Sequence, residues 1–82
     1  MLKIYADFND RTADESCWNL WYRGSPLREQ LDKLNLSVGT EVLLYQDEDD
    51  FEVKASLNFE YVEVLGRETW VARPDWSTLV RK

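Results

Sequence analysis

"FEVKASLNFEYVEVL" occupies residues 51–65, and its reading decides the fold. Phe51, Val53, Ala55, Leu57, Phe59 and Tyr61 alternate with Glu52, Lys54, Ser56, Asn58 and Glu60, the period-two pattern of a half-buried strand. After Tyr61 the phase reverses, because Val62 and Val64 are apolar and Glu63 is charged. Laid straight, the segment would span about 50 Å at ~3.3 Å per residue. A compact chain of 82 residues has a radius of gyration near ~12 Å and a diameter of roughly 30 Å. The segment must therefore bend, and an extra residue near 60–62 would bend it and swap its faces together. A strongly bent strand that passes between sheets predicts a small barrel or an orthogonal sandwich.

The flanking segments extend this pattern. "LKIYADF" (2–8) alternates, with Leu2, Ile4, Ala6 and Phe8 on one side. "CWNLWYR" (17–23) is rich in strand-favouring aromatics, and "NDRTADES" between these two segments is a polar loop. "GSPLREQLDKLN" (24–35) predicts a short helix: Ser25 can cap it, Pro26 suits its first turn, and Leu27, Leu31 and Leu34 form one stripe. "GTEVLLYQ" (39–46) is the third strand. A turn centred on Glu48–Asp49 then sets Gln46 opposite Phe51, Leu44 opposite Val53 and Val42 opposite Ala55. "LGRET" (65–69) is a tight turn, "WVARP" (70–74) a strand that Pro74 ends, and Asp75 caps one helical turn before a last short strand. The expected fold is mainly β with one short helix: a single SH3-like domain over 1–82, built as a strongly bent antiparallel barrel of 5–6 strands, with the helix at about 26–35 between strands 2 and 3.

"WVARPDWSTLV" resembles the part of SH3 domains where a Trp-containing strand with Ala-Arg leads through a short helical turn to a last strand. The matching residues are Trp70, Ala72, Arg73, the turn Asp75–Thr78, and Leu79–Val80. The resemblance implies an SH3-like bent barrel. It does not carry over peptide binding in a proline-recognition groove: Val71 stands where a second Trp is usual, the Pro-Ser-Asn-Tyr turn is missing, and a helix separates early strands.

The chemistry-bearing residues are sparse. The single cysteine, Cys17, has no His to activate it, so nucleophilic catalysis and zinc ligation are not expected. Gly24, Gly39 and Gly66 stand apart at element ends and form no phosphate loop. The expectation is a protein that is not an enzyme and has no catalytic, metal or cofactor site. No leader pattern and no apolar run of ~20 residues is present, so a cytoplasmic protein without membrane contact is expected. The formal net charge of −6 disfavours free nucleic acid.

Two surfaces remain as candidates. The first is the acidic patch Asp47, Glu48, Asp49, Asp50 and Glu52, five acids in six positions. It fails as a calcium loop, because the fifth position from Asp47 is Phe51 and no Gly stands at the sixth. As a hairpin tip it could dock a basic protein, in the manner of an inhibitor or immunity-type protein. The second is a set of aromatics, Tyr5, Trp21, Tyr45, Trp70 and Trp76, suited to anchoring a protein partner in a non-catalytic interaction module. Leu43 and Tyr45 face away from the main apolar run of their strand. If the Leu27–Leu31–Leu34 stripe covers them they are packing residues; if it lies elsewhere they belong to a binding patch.

Overall fold

The computed structural model describes residues 2–46 and 49–81, and the side chains of all of these except 31, 32, 49 and 50. Its strands are β1 (Lys3–Ala6), β2 (Leu20–Tyr22), β3 (Ser25–Pro26), β4 (Glu41–Gln46), β5 (Asp49–Val62), β6 (Arg67–Pro74) and β7 (Val80–Arg81). They form one sheet in the order β3-β2-β1-β4-β5-β6, and β7 joins along β5. The fold is mainly β, as expected, but the sheet is open and the expected closed barrel is not formed. Nor is it wholly antiparallel. β1 runs parallel to β4, with Lys3, Ile4 and Tyr5 beside Leu43, Leu44 and Tyr45. The connection from β1 to β4, residues 7–40, is long enough for the crossover that a parallel pair requires.

The expected register of β4 on β5 is observed where the core lies: Val42 faces Ala55 and Leu44 faces Val53. It shifts between Tyr45 and Gln46, so Gln46 pairs with Asp49 and not with Phe51. The cause is tertiary. The Gln46 Oε1 accepts the Phe8 amide at 3.0 Å, and Phe51 pairs instead with Arg81 of β7.

β5 has 14 residues, about 43 Å if straight at ~3.3 Å each, yet the molecule's longest dimension is 34 Å. The strand therefore bends. No extra residue marks the bend near 60–62, because β5 pairs with β6 without a break from Ala55–Pro74 to Val62–Arg67. The apparent change of phase has another origin. β4 begins at Glu41, opposite Ser56, and past Ser56 β5 continues with β6 as a two-stranded ribbon. Val53, Ala55 and Leu57 are buried on one face, whereas Val62 and Val71 are buried on the other, and Tyr61 is 60% exposed. That second face also carries the Arg73–Glu60 ion pair at 2.9 Å, and Arg73 Nε donates to Oγ of buried Ser16 at 3.5 Å. The chain turns at 63–66, so β6 starts earlier than expected, at Arg67.

The expected helix at 26–35 is replaced by β3, a 3-10 turn at Leu27–Glu29 and α1 (Leu31–Leu34). Pro26 caps the 3-10 turn without a side-chain bond, and Ser25 belongs to β3. The Gln30 N–H closes the 3-10 turn by donating to Leu27 O at 2.9 Å, and Asn35 at φ 55° ends α1 with a left-handed residue. Leu27 is buried in the core and Leu34 packs against it. The core holds Ile4, Ala6, Cys17, Leu20, Val42, Leu44, Val53, Ala55, Leu57 and Ala72. Among the described residues no helix is long and apolar enough to cross a membrane.

Candidate docking surface

Because Leu27 and Leu34 pack into the core, they do not cover the outer face of the sheet. On that face the register lines up three of the five candidate aromatics. Trp21 of β2 lies opposite Tyr5 of β1, and Tyr5 lies beside Tyr45 of β4. The row continues to Glu52 of β5, the partner of Tyr45. Alternation explains the placement: Ile4, Leu20, Leu44 and Val53 point inward and are buried, so their neighbours in sequence point outward.

The row is held in place locally. Tyr5 and Tyr45 meet edge to face, with centroids 5.8 Å apart and planes at 80°. The indole of Trp21 donates from Nε1 to Asn19 Oδ1 at 2.6 Å, and Asn19 Nδ2 donates to Asp10 Oδ2 at 2.9 Å. Trp21 remains 37% exposed. Tyr5, Trp21 and Tyr45 line a depression of about 290 Å³ together with Arg23 and Gly24. Arg23 and Gly24 form a two-residue hairpin turn with φ 50° and 81°. Such turns need left-handed backbone at both central positions, which is costly for Arg and easy for Gly. The guanidinium of Arg23 sits 5.3 Å from the ring centre of Tyr22.

A second row runs alongside. Lys3 pairs with Leu43, and Leu43 with Lys54, each two residues from the aromatic row. Lys3 Nζ forms an ion pair with Glu52 at 2.6 Å. Sequence reasoning missed Lys3, Arg23 and Lys54 as site residues. The available signal was that Lys3 precedes Tyr5 by the two residues that put them on the same face; Arg23 is placed by the hairpin turn, which alternation does not reach.

The other candidates lie elsewhere. Trp76 packs on Phe8 and Phe51 at 5.7 and 6.5 Å and remains 38% exposed. Trp70 meets its cross-strand partner Phe59 at 5.7 Å and is half-buried against the core. Of the acidic patch, Glu52 is half-buried and paired with Lys3. Asp47 and Glu48 lie outside the described residues, as do the side chains of Asp49 and Asp50.

Cys17 is fully buried, and burial pushes its thiol up to about 12, with Arg11 opposing and Asp7 adding to the rise. It is a neutral packing group at ordinary pH. Among the described residues no group of three or more His, Cys, Asp or Glu is placed to hold a metal ion. Comparison with known proteins finds no matching family model, no matching curated protein and no matching solved structure.

Proposed function

We propose that this protein is a non-catalytic interaction module that docks a partner protein on the outer face of its sheet, with Tyr5, Trp21 and Tyr45 as anchors. The observation that carries the reading is the cross-strand line of these residues on a face that Leu27 and Leu34 leave uncovered. Aromatic side chains of this kind give large contact area for little loss of side-chain freedom. Trp21 and Tyr45 also stand at the two ends of the row, roughly 10 Å apart across three strands, so both can engage one partner segment.

The SH3-like reading of the fold belongs to this proposal too. Its support is that β6, the 3-10 turn Trp76–Thr78 and β7 follow one another along one edge of β5, the layout expected from the resemblance.

The test is affinity capture from the native cell with wild-type protein, with Trp21→Ala plus Tyr45→Ala, and with Asp47→Asn plus Asp49→Asn, each checked for native circular dichroism. Loss of the captured partner in the aromatic variant alone supports the proposal. Retention there, with loss in the acidic variant, replaces it by docking of a basic partner on the acidic tip.

A further inference from the structure

We infer that two copies of this chain pair through the free edge of β5, strand against strand and antiparallel, at Phe59 and Tyr61. This edge lies apart from the docking face, and the inference goes beyond that reading.

β5 has a neighbour on each side only as far as Leu57. There Leu57 N–H donates to Thr40 O at 2.9 Å, and Leu57 O accepts Gly39 N–H at 2.7 Å, so its backbone groups point to the β4 side. Opposite it on β6, Ala72 turns its own groups away from β5, to Cys17. Backbone groups alternate in direction along a strand, and β5 pairs with β6 without a break as far as Val62. Asn58, Glu60 and Val62 therefore bond to β6. Phe59 and Tyr61 turn their N–H and C=O to the side that β4 no longer fills. Among the described residues none of these four groups has a hydrogen-bond partner. The side chains here are apolar and open to solvent: Phe59, Tyr61, Val38 and Val64 are between 47% and 73% exposed. Free backbone groups beside apolar side chains make a template for a further strand.

The register names the occupant. An antiparallel neighbour satisfies all four groups if it also offers two outward residues separated by one. The same edge of a second copy does this. Phe59 then lies opposite Tyr61 of the second copy, and Tyr61 opposite its Phe59, with four backbone bonds about a two-fold axis at Glu60. A shift of two residues loses the match. It sets Tyr61 against Leu57, whose groups are already bonded, or Phe59 against Glu63, whose O accepts Gly66 N–H at 3.1 Å. On the face shared with Leu57 the pairing puts aromatic against aromatic. On the other face Glu60 meets Glu60 of the second copy, and each arrives paired with its own Arg73 at 2.9 Å. The turn at 63–66 takes the second chain off the line before the place that Thr40 fills, and brings its Val64 towards Val38. These side chains supply less area than the ~1,200 Å² of a stable interface, so the dimer is weak, with a dissociation constant on the order of 10⁻⁴ M.

The experiment is sedimentation and amide NMR of the full chain from about 20 μM to about 2 mM, a range that brackets this constant. A mixture of isotope-labelled and unlabelled chains reads contacts between copies. The inference predicts a monomer–dimer equilibrium, with concentration-dependent shifts and slowed hydrogen exchange at the Phe59 and Tyr61 amides. Contacts between copies should run from Phe59 to Tyr61. Each copy carries −6, so association should tighten with added salt. Tyr61→Lys sets a charge on the edge while facing Glu68 in its own ribbon, and should weaken the dimer about tenfold. The wild-type series stands even if that variant misfolds. A monomer throughout the range overturns the inference. So does a dimer in which the Phe59 and Tyr61 amides stay still, or one with contacts from Phe59 to Phe59. An undiminished dimer in natively folded Tyr61→Lys overturns it as well.

Discussion

Cys17 lies opposite Ala72, and the two residues exchange both backbone hydrogen bonds: Cys17 N–H donates to Ala72 O at 2.8 Å, and Ala72 N–H donates to Cys17 O at 2.9 Å. This isolated bridge ties the segment leading into β2 to the free edge of β6, without a ladder that would close the sheet. Its side chain is buried, so the thiol should be inert towards alkylating reagents in the folded protein. Modification should track global unfolding in denaturant. Rapid labelling under native conditions would show that the bridge opens locally.

The same thiol makes a pH prediction. Its value rises from 9.0 to about 12 on folding, mainly through burial. The unfolded thiol therefore loses its proton at lower pH than the folded one. Its contribution to stability is intact below about pH 9 and falls as pH rises from 9 towards 12. In Cys17→Ala this component is gone. Urea midpoints for the two proteins should converge as pH is raised from about 8 to about 10.5.

The β5–β6 ribbon makes adjacent residues unequal. Val62 is 1% exposed and Tyr61 60% exposed. Val62→Ala should cost about 2 kcal/mol of unfolding free energy, from lost burial and the cavity left. Tyr61→Ser should stay within about 0.5 kcal/mol of wild type. Chemical denaturation of the two variants checks this ordering, and equal costs would mean that Val62 does not face a packed surface.

The last turn is fastened to β5 by one side chain. Thr78 Oγ1 accepts the Lys54 amide at 2.9 Å and donates to Asp75 O at 2.7 Å, while Asp75 N–H donates to Lys54 O at 2.8 Å. Thr78→Val removes the acceptor and should cost about 1 kcal/mol. Hydrogen exchange should rise at Lys54 and at the β7 pair Phe51–Arg81, with little change at the buried Val42–Ala55 pair.

Alternation along 51–57 and 41–45 was enough to read the β4–β5 register and the inward set Val42, Leu44, Val53, Ala55 and Leu57. It could not reveal the parallel pairing of β1 with β4, because the period of two is the same for both directions. Nor could it reveal what covers a face, which is why burial of Val62 read as a slipped phase. The leucine stripe correctly placed Leu27 in the core but overstated the helix, since Ser25 and Pro26 pair as β3, Leu27–Glu29 form a 3-10 turn, and Asn35 turns left-handed after Leu34. Tyr5, Trp21 and Tyr45 were legible as outward-facing residues. Their alignment was not, because it depends on the pairing of three strands distant in sequence.

That alignment is the central claim, and interproton contacts in the NMR spectrum of the full chain test it most directly. The account predicts that Tyr5 shows contacts to Trp21 on one side and to Tyr45 on the other, with Lys3 close to Leu43. Contacts from Tyr5 to Trp21 but none to Tyr45, with β4 paired only to β5, would contradict it and dissolve the docking surface.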